Sequence, residues 1–578
     1  MLPTAAYDPE VLNLLERCKE RPEDQAPWLV LADKLEELGE DDFAACLRGR
    51  GFGSDGFQFS ERDQKRWHPF RSFSRADGFS LVDDETTYGP ACTAPELADC
   101  PWFFSLLLSQ CNLPGLNEEE LSQEEMFSGW LAYFNSAHVR HLTSLHLSEM
   151  SSECLAAVAR SHGLTALRHM KLNRTGLAQG VGVRLAETIL PTLESLDVTP
   201  DYDGRREIDS MLRAVTASPL RSLSFSYSES DDDTALAIAR APLTALRNIS
   251  FVDGLFTHVG YETMFRSPIA DTLKSVALYS CANARFALNA LSATHRDMRI
   301  EELLIWGTYS RDSQAESSRI DDETFENFAL SPQARYLRTL RLTQHGIGPA
   351  GVTALAAAGV MPNLTTLDLS HNRVDAQGVE SLLASPLGET LRSLVVSNNP
   401  LGDEGIKKLA GWKNLVCMEQ VNLASTQMTG TGFAALMRSP FLTRCHHLAV
   451  SDNPVGDDGW AGFADAELPA LNSLHLPSCG IGPRGVQLLA AGRRRMKGLT
   501  LERNPLGDEG VAALAVGPVW DELAYLNIEY VGATESGLLA LVESVAFPKL
   551  KSLRIGYGMD EVKAAFRASP NWKDCSVH

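Results

Sequence analysis

L-R-S-L-V-V-S-N-N-P-L-G-D-E-G-I-K-K-L-A, residues Leu391–Ala410, contains two periodicities in twenty residues. Leu394 and Val396 alternate, as a half-buried strand requires. Past Gly402 the pattern becomes Gly405-Ile406-x-x-Leu409-Ala410, an i, i+3, i+4 stripe that predicts an amphipathic helix. Gly402 supplies the turn, and Asp403 and Glu404 place carboxylates in the first helical turn, where the dipole favours them. Strand, turn, helix and return form one structural unit.

The unit recurs along the chain. Leu364 opens L-T-T-L-D-L-S-H-N, and Met496 opens M-K-G-L-T-L-E-R-N-P-L-G-D-E-G-V-A-A-L-A. Equivalent leading positions are Leu142, Leu167, Leu193, Leu220, Leu246, Leu273, Ile300, Leu337, Leu364, Leu391, Met418, Cys445, Leu471, Met496, Leu523 and Leu550, about 25–27 residues apart except for 37 between Ile300 and Leu337. The eighth residue after the leading one is Asn372, Asn399, Asn453 or Asn504, elsewhere Cys281 or Cys479, or Thr175, Thr308 or Thr426. A small hydrogen-bonding side chain there can satisfy backbone groups left open where strand gives way to turn. Pro349 and Pro483 replace Asp403 in their units, in the first helical turn, where a missing N–H costs nothing.

A period in the ~20–29 residue range with this pattern resembles the leucine-rich repeat, and the long units resemble its ribonuclease-inhibitor type. The resemblance implies an α/β solenoid, a horseshoe with an inner parallel β-sheet and outer α-helices. It covers residues 142–578. Residues 1–50 read as a small α-helical domain: Val11, Leu14, Leu15 and Cys18 share one helical face, and Trp28, Leu29, Leu31, Ala32 and Leu35 another. Gly39 ends the second helix, and a third short one is expected near Asp41. P-W-L-V-L-A-D-K-L-E-E-L-G-E resembles the companion domain that precedes leucine-rich repeats in some bacterial proteins, with Trp28, Leu31 and Lys34 in place of that domain's usual arginine, tyrosine and tryptophan. Residues 51–141 read as linker and N-terminal cap, with helices expected over Leu97–Cys111 and Glu118–Asn135 and with Phe79, Leu81, Trp102, Phe103, Leu106, Trp130 and Phe134 covering the apolar end of the first repeat.

Composition narrows function. The 578 residues exceed what one compact core holds, and 44% hydrophobic with 22% charged is ordinary for folded protein. A net charge of −22 disfavours nucleic acid and anionic membrane as partners. Neither a secretory signal nor a membrane-spanning run is visible, and the eleven scattered cysteines include no C-x-x-C pair, so free thiols in a cytoplasmic protein are expected. G-x-G-x-x-G strings occur at Gly51–Gly56, Gly346–Gly351 and Gly480–Gly485; the last two fall on the same repeat turn and the first follows a helix, so linker and repeat geometry explain them. His138, His141 and His146, and His446 and His447, lack partners at metal-ligand spacing. No cofactor, metal or catalytic set is expected.

What remains is surface. Counted from the leading residue as the first, positions 3, 5, 7 and 8 of each unit face the open side of the sheet, and most are small or polar, such as Ser222, Thr366, Ser393 and Ser451. Two groups differ. Tyr279, Leu304 and Trp306 lie on neighbouring strands, and Tyr525, Tyr530 and Tyr557 lie near the C-terminal end with Arg503 and Arg554. Exposed aromatics beside arginine are the material of interface hot spots. The expectation is a non-enzymatic monomer that binds an unknown protein partner on its concave face. A GTPase-activating protein, an activity found with this repeat type, is the alternative. The polar excess after Trp306, G-T-Y-S-R-D-S-Q-A-E-S-S-R-I-D-D, reads as a loop over the first group, either mobile arm or lid.

Overall fold

The computed structural model describes residues 8–20, 25–38, 57–58, 72–74, 78–80, 105–109 and 122–578, except 201–204, 227–229, 308–318, 358–359, 464–465, 467, 492–495, 518, 557 and 574. Two compact units make up the chain, Met1–Leu273 and Lys274–His578.

In the first unit, helices Pro9–Glu20 and Gln25–Glu37 pack through Val11, Leu14, Leu15, Leu31, Ala32 and Leu35, all buried. Lys34 meets Glu10 across the pair at 2.7 Å. Gly39 and the helix expected near Asp41 lie outside the described residues. A small antiparallel sheet (Phe57–Gln58, Ser72–Ser74, Gly78–Ser80) follows. Then come parallel strands Ser105–Ser109, Ser144–Ser148, His169–Thr175, Ser195–Pro200, Ser222–Phe225 and Asn248–Val252, each paired with the next.

One expectation fails here. Within the helix expected over Leu97–Cys111, the described residues Ser105–Ser109 form a strand instead, with Leu106 opposite Leu145 and Leu108 opposite Leu147. Three consecutive leucines between serines fit either period, and pairing with S-L-H-L-S decides for the strand. The repeat sheet thus begins one rung before Leu142, and Leu106 belongs to a strand. The neighbouring helix does form, over Gln123–Phe134, opened by a capping box between Ser122 and Glu125. It buries Trp130 and Phe134, stacked at 5.8 Å.

The second unit is a longer run of the same design. Its strands are Ser275–Tyr279, Glu302–Trp306, Thr339–Thr343, Thr366–Asp368, Ser393–Val395, Gln420–Asn422, His447–Ala449, Ser473–His475, Gly498–Thr500, Tyr525–Asn527, Ser552–Arg554 and Ser576–Val577, parallel and paired in sequence order. Register is constant: Leu340, Leu367, Leu394, Val421 and Leu448 stand in one row and are buried. All sixteen leading residues are buried, none more than 5% exposed. The outer layer is mostly α-helical; between strands His447–Ala449 and Ser473–His475 the 3-10 turn Asp458–Gly462 takes the place of the α-helix.

Two side-chain systems tie rung to rung. Asn399, 2% exposed, donates from Nδ2 to the carbonyls of Leu369, Val396 and Ser397, while its Oδ1 accepts from Val374 N–H at 2.9 Å. Asn372, Asn453 and Asn504 repeat that set. The second system is Asp403, which accepts from the N–H groups of Thr429 (2.8 Å) and Gly432 (3.0 Å) and from the Thr429 hydroxyl (2.6 Å), capping the helix of the following repeat. Burial works against its ionisation, but these hydrogen bonds outweigh it and hold the carboxyl below its ordinary range. A Cβ on Gly432 would stand 2.5 Å from Asp403 Oδ1, and on Gly537 2.1 Å from Asp508 Oδ1, so glycine at this helical position makes room for the neighbouring carboxylate.

Candidate functional site

Strand register brings the first predicted group together. Tyr279 is opposite Trp306, and Leu304 is opposite Ala277 on one side and Arg341 on the other. The rings of Tyr279 and Trp306 lie 5.8 Å apart, inclined at 53°. Trp306 is 46% exposed, while Tyr279 and Leu304 are half-buried. With Ile305, Arg341, Thr343 and Asp368 they line one depression of about 50 Å³. That volume admits the tip of a side chain and falls far below the ~300–1,000 Å³ of small-molecule pockets.

The electrostatics are uneven. Asp368 accepts from both the backbone N–H (2.9 Å) and the hydroxyl of Ser370. Arg341 is exposed, and its guanidinium meets no carboxylate or hydrogen-bond acceptor among the described residues. Along the adjoining edge the cations are matched: Glu301 stands 2.8 Å from Lys274 and 3.7 Å from Arg338, and Asp297 2.9 Å from Arg335.

The second predicted group divides. Tyr525 and Arg554 line a cleft of about 510 Å³ with Glu529, Ser552, Gly556, Lys563 and His578. Arg554 lies 3.7 Å from Glu529. Arg503 and Tyr530 are elsewhere, both exposed at the turn that ends each strand, with left-handed φ of 56° each. Asn398 holds the same place with φ 55°. Tyr557 and residues 308–318 of the expected loop lie outside the described residues, as does Gly51–Gly56.

Two glycine strings have their helix starts filled from within the chain. Gly348 N–H donates to Asp322 Oδ1 at 2.6 Å, and Gly482 and Gly485 N–H donate to Asp457 Oδ1 at 2.6 and 2.9 Å. A carboxylate occupies the position a phosphate would need. Among the described residues, no group of three or more His, Cys, Asp or Glu could hold a metal ion, and no helix is long and apolar enough to cross a membrane.

Sequence reasoning missed Arg341, Thr343 and Asp368 beside Trp306. Arg341 occupies the strand position of Leu304, so a position-by-position reading across rungs contains the signal.

Residues 333–356, 360–383, 389–410 and 497–515 match the family model for the leucine-rich repeat. The fold is a leucine-rich repeat solenoid. No curated protein matches the chain in sequence. Among solved structures, the chain is similar to a complex of Rad7 and Elc1 in yeast (15% identity, TM-score 0.34, covering 80% of this chain and 89% of that one). It is also similar to an internalin from Listeria monocytogenes (15% identity, TM-score 0.36, covering 70% and 94%). Likeness at this level carries nothing about what the repeats bind.

Proposed function

We propose that this leucine-rich repeat chain is a non-enzymatic scaffold that binds a protein partner on the open face of the sheet in Lys274–His578. Trp306, Tyr279 and Leu304 serve as the anchor. The observation that carries this reading is Trp306, a tryptophan 46% exposed at the end of strand Glu302–Trp306 and leaning on Tyr279. A large aromatic side chain left half in water on a sheet face that is mostly small or polar contributes little to folding, whereas covering it with a partner would bury apolar area worth about 25 cal/mol per Å². The small volume of the depression favours a side chain as occupant over a metabolite. Cys154, Cys281, Cys417, Cys445, Cys479 and Cys575 are free thiols, which suits a monomeric protein of the reducing cytoplasm. The exposed turn residues Arg503 and Tyr530, and the cleft of Tyr525 and Arg554, extend the surface available to a large partner.

The test is affinity purification with the intact chain as bait beside Trp306→Ala and Tyr279→Ala variants. The expected result is a protein recovered with the native chain, depleted about tenfold or more with either variant, and unchanged with a control substitution at exposed Val545. Equal recovery with all baits would defeat the assignment.

A further inference from the structure

Arg341 adds a chemical requirement to the aromatic anchor. It stands directly opposite Leu304 on the next strand, on the open face, in the same depression as Trp306 and Tyr279. Its guanidinium is exposed and unmatched among the described residues. The one carboxylate on the following rung in that row, Asp368, is opposite Arg341 in register, yet it turns to the N–H and hydroxyl of Ser370. Meanwhile Lys274, Arg338, Arg335 and Arg299, on the neighbouring rungs, each stand within 4 Å of Glu301 or Asp297. In a chain of net charge −22 acids are abundant, yet this planar fork of donors is left open beside the exposed tryptophan.

Accepting the protein-binding reading above, on which this rests, we infer that the partner segment presents a carboxylate to Arg341 and a large apolar side chain to Trp306 and Tyr279. Trp306 and Arg341 are diagonal neighbours, on strands ~4.8 Å apart and displaced by two residues, ~6.6 Å. Their backbones therefore stand ~8 Å apart, and with the reach of the guanidinium the two partner groups must stand about 5–8 Å from one another. Residues i and i+2 of an extended segment meet that spacing, as do i and i+3 or i+4 of a helix. Guanidinium pairs with carboxylate through two parallel hydrogen bonds, and the apolar contact beside it excludes water from that pair. A basic segment is excluded by the same group.

A displayed library of random twelve-residue peptides, selected against the full-length chain, reads this directly. Selected peptides are resynthesised and their affinities measured for the native chain, Trp306→Ala, Arg341→Gln and Arg341→Glu. Arg341→Gln removes an exposed side chain without described partners, so its melting curve should match the native one. The expected outcome is that peptides dependent on Trp306 carry Asp or Glu within four positions of an aromatic or large aliphatic residue. Replacing that acid by its amide, or Arg341 by Gln, should weaken binding about tenfold or more, with no further loss when both changes are combined. Arg341→Glu should recover binding to a peptide whose acid is replaced by Lys. If Trp306-dependent peptides keep full affinity for Arg341→Gln, the carboxylate requirement is wrong while the protein-binding reading stands. If no selected peptide depends on Trp306, both fall.

Discussion

The backbone N–H of Ile320 donates to Nδ1 of His345 over 3.4 Å, and the other ring nitrogen faces the Ile305 carbonyl at 3.3 Å. His345 is the eighth residue after Leu337, the place held by Asn372, Asn399, Asn453 and Asn504 in their own repeats. One nitrogen accepts from the preceding turn and the other donates to the preceding strand, so the neutral imidazole with its proton on Nε2 reproduces the asparagine's two links. The repeat so treated is the long one, and Ile320 is where the chain re-enters the regular pattern.

That ring should make stability depend on pH. Burial is the leading cause that lowers the His345 pKa from 6.5 to about 4; the Ile305 carbonyl opposes it and nearby Arg319 adds to it. The folded state thus holds the ring neutral, the unfolded chain binds the proton more tightly, and the contribution is present above pH ~6.5 and lost as pH falls toward 4. A shift of this size corresponds to about 3 kcal/mol. Urea midpoints measured at pH 7.5 and pH 4.5 should differ more for the native chain than for His345→Asn, whose amide does not titrate. Equal differences would show that the ring is solvated.

Asn399→Ala should cost about 3 kcal/mol, because it leaves Val374 N–H and three carbonyls without that partner in a buried turn. Asn399→Asp should cost more, since its second oxygen would face those carbonyls. Asn363→Ala is the comparison: its amide reaches a single carbonyl, that of Arg335, in an exposed setting, and the change should fall within about 0.5 kcal/mol. Denaturant titration of the three variants measures the ranking.

Much of this was legible in the sequence, for a physical reason. Leading residues such as Leu391 recur because each must fill the same buried slot, and the Asn positions recur because each strand end opens the same backbone groups. The strand at Leu106 is not legible because S-L-L-L-S has no period of its own and fits a helix as well; only pairing with Ser144–Ser148 makes it a strand. Arg341 and His345 are silent as single residues; each has meaning only as the occupant of a repeat position, Arg341 opposite Leu304 and His345 in the place of Asn399. Local pattern ties Asp403 to the dipole of its own helix, whereas its hydrogen bonds go to the next repeat, a relation between residues 26 apart that no local pattern displays.

Gly432 and Asp403 should therefore be coupled. Gly432→Ala places a methyl 2.5 Å from Asp403 Oδ1 and should cost about 2 kcal/mol or more by forcing that carboxylate from the Thr429 and Gly432 N–H groups. In the Asp403→Ala background the same change should cost less, because the obstructing oxygen is gone. A double-mutant cycle by thermal melting should give a coupling of about 1 kcal/mol, and additivity would sink the idea.

Cysteine reactivity should follow burial. The thiols of Cys445 and Cys479 are pushed up to about 12 by burial, whereas Cys417 is partly exposed. Thiolate is the reactive form, so native protein at pH 8 should be alkylated at Cys417 long before Cys445 or Cys479, and denaturant should equalise them. Peptide mapping after a timed iodoacetamide pulse reads the order.

Tyr530 poses a conflict between stability and use. Its φ of 56° is the left-handed region, which asparagine tolerates and aromatic side chains disfavour, and its ring is 60% exposed. Asn398 fills the same turn position without that cost. Tyr530→Asn should accordingly raise stability by about 0.5–1 kcal/mol, read as a higher urea midpoint at unchanged slope. An exposed ring held at a disfavoured backbone geometry is explicable if it meets a partner, so the same variant should bind a recovered partner less well. A stability gain with intact binding would confine the partner's footprint to the Trp306 region and remove Tyr530 from it. A loss of stability would mean that the ring supports the turn through packing against its neighbours, and the tyrosine would then need no partner to account for it.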